Sequence, residues 1–467
     1  MRAPRPATWL GAAAILACGQ LLLAWPGVAP YDAVTQYAQA LSGRFDDWHP
    51  PLMARLWQAL LPLGGGAAPL FVIQTGLYWL GLGLLAAALG ERRPAKGAGV
   101  LLLGALPLFA GWEMVVVKDA LMAAALVAAT GLVGWWRLRR KPVPALGRGA
   151  IALLIVAATL LRANALFATL PLALLMWRAS WRRRALVGLI AGVVVIVALP
   201  VVNQRLLGAE PTNVWRTLPI YDLGAMAAGG AAVLSPGEAG TLKPACASAY
   251  FWDPLGDPRY CGAFARRLEA LPPRVLVGRW LMGALAHPLL YARHRLAHWQ
   301  LSERLWIGTG LFGAAPPAHS EANKLGLSSP GRGAATWQRL AAGQAESPLG
   351  WPGLWTALAA ALFIAGARRS PAPRRDLALA MAGSAVALEA SFLVVSIAAD
   401  LRYHLWPMLA AGLAALLLWP DLANRSRWAV ALALLPVVLI GATARLLLPP
   451  APASYQALLA HALHFSR

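Results

Sequence analysis

Residues 118–141 read KDALMAAALVAATGLVGWWRLRRK, an apolar run between two very different ends. One end carries Lys118-Asp119. The other runs from Arg137 to Lys141 and is basic with no carboxylate. An apolar stretch of about 20 residues spans the hydrocarbon core of a bilayer as a helix. The same asymmetry recurs outward in both directions. Short basic connections at Arg92-Arg93-Pro94-Ala95-Lys96, Arg182-Arg183-Arg184 and Arg368 to Arg375 alternate with connections that hold Asp32, Asp46-Asp47-Trp48-His49, Arg162 and Arg402-Tyr403-His404. Positive charge therefore gathers on one side of a membrane and the chemistry on the other.

Composition supports this reading. Hydrophobic residues form 59% of the 467 and charged residues only 13%, with mean hydropathy +0.58. A net charge of +22 in a soluble protein would suggest nucleic acid. Here about half of the 41 basic residues lie in the basic connections and the N-terminal segment, which hold only Glu91, Asp376 and Asp421 of the 19 acidic ones. That is the positive-inside bias, and it calls for no nucleic-acid partner. Met1–Pro6 and the Thr8–Trp25 run outline a signal peptide without a convincing cleavage site, so the run is expected to remain as a first span.

With the N-terminus inside, apolar runs predict spans at about 7–25, 67–90, 98–114, 119–136, 150–161, 165–177, 185–202, 351–367, 377–398, 405–419 and 428–447. The expected fold is an all-α polytopic membrane protein of about eleven transmembrane helices. It divides into an N-terminal transmembrane module at 1–202, an external region at 203–350 and a C-terminal module at 351–467. The first external loop, about 26–66, is expected to hold two interfacial helices, Tyr31–Leu41 and Pro51–Leu61, around a polar Ser42–His49 turn. In the second external region, Pro273–Gln300 reads as one basic amphipathic surface helix. Cys246 and Cys261 both fall outside, where a disulfide is chemically permitted. Two free thiols are the alternative.

Asp32 follows Pro30 at the start of an amphipathic helix, with Thr35, Gln36 and Gln39 on the same face. A carboxylate there suits general-base work on a hydroxyl, and equally suits a helix cap. In Asp46-Asp47-Trp48-His49-Pro50-Pro51-Leu52, two carboxylates and an imidazole beside a bilayer point to a polar cavity, and Asp47 is the rival base. Asp46 and Asp47 are also the candidates for a divalent cation, which nothing in the sequence demands. Glu113, Lys118 and Asp119 bracket one outer turn, where Lys118 can snorkel and Asp119 can cap the following helix. Arg162, with Asn164, sits between two short apolar runs and needs an anion, for which phosphate suits its fork geometry. Arg402-Tyr403-His404 repeats that logic after Asp400. The stripe His287, Arg293, His294, Arg295 and His298 reads as headgroup-facing rather than as zinc ligands.

Tyr31-Asp32, then His49-Pro50-Pro51-Leu52, with many spans following, resembles the GT-C superfamily of membrane glycosyltransferases. Protein O-mannosyltransferases and the lipid A aminoarabinose transferase are members. Lys118-Asp119, Arg162-Ala163-Asn164 and Arg402-Tyr403 look like recurrent outer-face positions of its bacterial members. The resemblance implies a GT-C-like helical bundle in a bacterial inner membrane, with its active site on the periplasmic face. It implies a sugar taken from a polyprenyl-phosphate donor and passed to a hydroxyl of a glycan, lipid or protein. Asp32 would then be the base, and Lys118, Arg162, Asn164 and Arg402, with His49, Tyr403 and His404 around them, would hold the donor phosphate. Where many members follow the first Asp with Glu, this chain has Ala33, which weakens any metal site inferred from them. Two other readings stand beside this one. The first is an O-antigen ligase or polymerase using a diphosphate-linked glycan, compatible with the basic 274–300 segment. The second is a transporter or flippase, for which Glu389 is the one mid-span carboxylate.

Overall fold

The computed structural model describes residues 5–464 apart from 178. The chain is predominantly helical, and among the described residues the one sheet is a parallel pair of two-residue strands, β1 (Phe45–Asp46) and β2 (Ala209–Glu210). Among the described residues seven helices are long and apolar enough to cross a membrane, or nine if each of two bent helix pairs forms one span. This bears out an all-α chain with membrane-spanning helices. It does not establish the expected eleven. The segments expected at 150–161, 165–177 and 351–367 form the shorter apolar helices Ala145–Leu161, Ala163–Met176 and Pro352–Ala367. The expected 98–114 span breaks into Pro94–Gly104 and Pro107–Glu113, bent by 57°. Pro107 has no N–H and disfavours helical backbone at Leu106, which is extended at ψ 135°.

Two compact units divide the chain. The first comprises Met1–Thr212, Ala315–Glu389 and Arg402–Pro436; the second Asn213–Ala314, Ala390–Leu401 and Val437–Arg467. In the first unit the helices run α1 (Pro6–Ala24), α2 (Tyr31–Ser42), α3 (Leu52–Leu60), α4 (Ala68–Gly90), α5 (Pro94–Gly104), α6 (Pro107–Glu113), α7 (Lys118–Arg137), α8 (Ala145–Leu161), α9 (Leu166–Met176) and α10 (Trp181–Val201). Thus α2 and α3 match the two helices expected in the first external loop. α7 is the central helix, with Ala120 to Ala129 all buried. It packs on α4 and α8, and α4 packs in turn on α1. At Gly81 of α4 and Gly131 of α7, a side chain on either would strike the other helix's backbone. Small residues at such a crossing let two helices meet without bulky side chains between them. α10 has no buried residue and exposes Leu189, Val193 and Val197, as a lipid-facing helix would.

The second unit centres on Tyr221, Leu223, Met226, Phe264, Leu268 and Leu276, with Cys246 and Cys261 in the same core. The two cysteines are disulfide-bonded, with Cα atoms 5.6 Å apart. The single helix expected over Pro273–Gln300 is two helices, Pro273–Ala286 and Pro288–Ser302, bent by 101° at His287. Pro288 accounts for the break, because a residue before proline avoids the α region. Nor is the basic stripe turned wholly outward. Arg293 is exposed, but His294, Arg295 and His298 are buried. Arg295 Nη1 donates to Asp222 Oδ1 at 3.1 Å and its Nε donates to the Leu393 carbonyl at 2.8 Å. Trp280 Nε1 donates to Asp222 Oδ2 at 2.8 Å. A buried carboxylate satisfied this way ties the unit together.

Candidate active site

The site lies within the first unit and is assembled from segments far apart in sequence. Its foundation is a short backbone ladder. Val28 N–H donates to the Met114 carbonyl at 2.9 Å, and Val116 N–H donates to the Val28 carbonyl at 2.8 Å. Gly27 makes this approach possible. Its φ is +101°, and a Cβ there would meet Val116 and Phe71. On the other side, Ala29 N–H donates to Ser320 Oγ at 2.9 Å, and Glu321 N–H donates to the Ala29 carbonyl at 2.8 Å. The segments entering α2 and α7 are thereby stitched together. Asp32, second residue of α2, is set against Lys118, first residue of α7.

A second clasp positions His49. Phe45 and Asp46 pair in parallel with Ala209 and Glu210. Asp47 Oδ1 accepts from Thr212 N at 2.6 Å and Thr212 Oγ1 at 2.7 Å, while Oδ2 accepts from Gln204 Nε2 at 3.3 Å. Asp46 Oδ1 accepts from the Trp48 N–H at 3.1 Å. Their carboxylates are therefore occupied in holding the loop. Asp47 makes its bonds away from the Asp32 group. His49, released from the clasp just before the rigid Pro50-Pro51, reaches inward.

Around Asp32 the side chains converge. Oδ2 lies 3.0 Å from Arg402 Nη2 and 3.4 Å from Lys118 Nζ. Lys118 Nζ is also 2.7 Å from His49 Nδ1, while His49 Nε2 faces Asp32 Oδ1 at 3.7 Å. Behind them Asp119, fully buried, pairs with Arg162 and lies 3.7 Å from Arg402 Nε. Arg162 Nε donates to Asn164 Oδ1 at 3.0 Å, and its guanidinium stacks over Tyr403 at 4.0 Å from the ring centre. Asp32, His49, Lys118, Arg162, Asn164, Arg402 and Tyr403 are thus brought together. His404 is not. It is buried, with Nδ1 2.7 Å from Glu389 Oε2.

The electrostatics follow from this geometry. Burial by itself raises the Asp32 carboxyl, but Arg402 and Lys118 outweigh it and hold the group far below the usual carboxylate range. Burial and the neighbouring Lys118 push His49 down to about 3, so its imidazole is neutral near pH 7. A neutral ring whose Nδ1 accepts from the Lys118 ammonium carries its proton on Nε2, facing Asp32. Three fixed cations, Lys118, Arg162 and Arg402, then stand against two carboxylates, Asp32 and Asp119. That leaves 3 − 2 = +1, an excess suited to an anion. The side chains of Asp32, Lys118, His49, Arg162 and Arg402 keep between 9% and 15% exposure.

The sequence offered Asp119 as a helix cap, yet it is the anion that holds Arg162 and faces Arg402. Its adjacency to Lys118 was the available signal. What it faces could not be read from the chain. Ser320 went unnoticed, because its role is a single hydrogen bond to a backbone distant in sequence. The chain matches no protein-family model, no curated protein and no solved structure.

Proposed function

We propose that this chain is an integral-membrane glycosyltransferase that moves a sugar from a polyprenyl-phosphate donor to an acceptor hydroxyl, working at the periplasmic face of a bacterial inner membrane. The observation that carries the reading is the pairing of one carboxylate, Asp32, with Arg402 and Lys118, beside a third cation held by Asp119. A donor with a long lipid tail keeps its phosphate at the membrane interface. The cluster sits at the N-terminal end of α7, where such a phosphate is within reach.

In the proposed step the acceptor oxygen forms a bond to the sugar's anomeric carbon as the bond from that carbon to the phosphate oxygen breaks. The electron pair leaves on the phosphate, which gains one negative charge, and the acceptor proton passes to Asp32. Arg162, Arg402 and Lys118 stabilise the charge developing on the leaving phosphate. Asp32 as it stands is a weak base, because two cations share its Oδ2. A phosphate drawn against Arg402 and Lys118 competes for the same donors and loosens their hold. The carboxylate then regains basicity at the moment the donor is in place. Donor binding and base activation are in this way coupled.

The test is to incubate purified protein in lipid with a panel of polyprenyl-phosphate sugars and an acceptor extract, following donor consumption. Release of polyprenyl phosphate from at least one donor, lost in Asp32→Asn, is the expected result. No turnover with any donor, together with release of sugar from a polyprenyl-diphosphate glycan, would transfer the site to the ligase or polymerase class.

A further inference from the structure

At the opposite end of α4 and α7 lies a second cationic site that the proposed transfer does not use. It is a cavity of about 300 Å³ whose polar lining is Arg92, Arg139, Lys141 and Glu91. Ala88 and Leu138 form its apolar wall, with Pro6 at the start of α1. We propose that this cavity binds the phosphate headgroup of an anionic phospholipid.

Charge is the first ground. Three cations and one carboxylate give 3 − 1 = +2, and that carboxylate, Glu91, is already paired with Arg139. Arg139 is further fixed by stacking on Trp135 at 3.3 Å from the ring centre. Its Nε is buried and has no hydrogen-bond acceptor among the described residues. A buried guanidinium N–H without an acceptor is costly, and a phosphate oxygen is the acceptor its fork fits.

Local backbone supplies the second ground. Just past the end of α7, Arg140 lies in the left-handed region at φ 59°, and Lys141 N–H donates to the Trp136 carbonyl at 2.9 Å. This is the closing motif that usually takes glycine. Here it bears arginine, and the tight turn brings both Arg139 and Lys141 into the cavity lining.

Position is the third ground and selects the ligand. α7 has 20 residues from Lys118 to Arg137. At about 1.5 Å per residue it is about 30 Å long, the thickness of a bilayer's hydrocarbon core. The Asp32 group and this cavity therefore sit at opposite membrane interfaces. α1, whose first residue lines the cavity, exposes Ile15 and Leu22 along its length, apolar surface against which acyl chains can lie. A soluble phosphate would meet the same cations but could not use that surface. Basic pockets between helices on the cytoplasmic side are suited to anionic lipid headgroups.

The experiment uses the full chain in nanodiscs of phosphatidylcholine, with or without phosphatidylglycerol, and native mass spectrometry of the lipid retained after detergent exchange. Wild type should retain phosphatidylglycerol in preference to phosphatidylcholine, and millimolar inorganic phosphate should not displace it. Arg92→Gln/Lys141→Gln replaces two exposed side chains and should weaken retention about tenfold. Adding Arg139→Gln should bring the loss to the order of 100-fold, as expected for three basic residues near an anionic surface. Arg182→Gln/Arg183→Gln, in another basic connection that does not line the cavity, should retain the lipid. Undiminished retention in the double variant, equal loss in the control, or displacement by inorganic phosphate would each overturn the proposal.

Discussion

Arg402 Nη2 lies 3.0 Å from Asp32 Oδ2, joining the turn before a C-terminal apolar helix to the first turn of α2. The contact holds the Asp32 carboxyl ionised, and it places a guanidinium where a leaving phosphate would need one. In the proposed transfer, the base and one phosphate ligand are therefore each other's partner until a donor intervenes.

Asp32→Asn keeps the shape of the side chain and removes the proton acceptor. Transfer should fall by a factor on the order of 10²–10⁴, the range of general-base loss, while donor KM falls, because Arg402 and Lys118 are released to the phosphate. Asp47→Asn is the control. Its carboxylate holds Thr212 and Gln204, so the variant should lose about 1–2 kcal/mol of stability while transfer stays within a few-fold. The reverse pattern, Asp47→Asn inactive and Asp32→Asn active, would reassign the base to Asp47.

Arg402→Ala removes the largest influence lowering the Asp32 carboxyl, so that group should rise toward its ordinary value. A pH–rate profile of the variant should then show an acidic limb displaced upward toward the ordinary carboxylate range, because Asp32 protonates more readily once Arg402 is gone. Donor KM should rise in the same variant. An unchanged acidic limb with unchanged KM would show that Arg402 influences neither group.

Asp119→Asn leaves Arg162, 13% exposed, beside a neutral amide. Breaking a buried pair from one side should cost about 3 kcal/mol, read as a lower unfolding temperature. Asp119→Glu should recover part of the stability. Activity should be lost through donor KM more than through kcat, since Asp119 positions guanidiniums and does not accept the proton. Full stability in Asp119→Asn would remove this role.

His49, depressed by burial to about 3, binds its proton in the unfolded chain near pH 6.5 but in the folded one only near pH 3. Folded stability should therefore decline as pH falls through that window, because the unfolded state takes up the proton first. His49→Gln should flatten this decline in an acid-unfolding series. Transfer should show no inflection near pH 6.5 from His49, which is already neutral there. Equal slopes for the two proteins would argue against a buried neutral imidazole.

The disulfide closes a sequence separation of 15 in the core of the second unit. Cys246→Ala/Cys261→Ala should lower stability by about 3 kcal/mol on the loop-entropy account. Mass spectrometry of non-reduced protein should show the linked peptides. Recovery of both as free thiols from protein made through the secretory route would count against the bond.

The sequence by itself determined what depends on neighbouring residues and on the choice between water and lipid. The apolar lengths of α1, α4, α7 and α10, the basic residues gathered at one end of each, and α2 and α3 around the polar Ser42–His49 turn all belong to that class. So does the roster of side chains around Asp32, since ionisable groups at the ends of apolar helices stand out against their surroundings. Only the tertiary structure decided which of them meet. Asp47 and His49 are two residues apart, yet the clasp to Thr212 turns one to the loop and frees the other toward Lys118. Arg402 and His404 share a turn, but one faces Asp32 and the other Glu389. Asp119 became the counter-ion of Arg162 because α7 and α8 pack side by side. A charge pair or a clasp is set by three-dimensional packing between distant segments, and no local pattern in the chain encodes its partner.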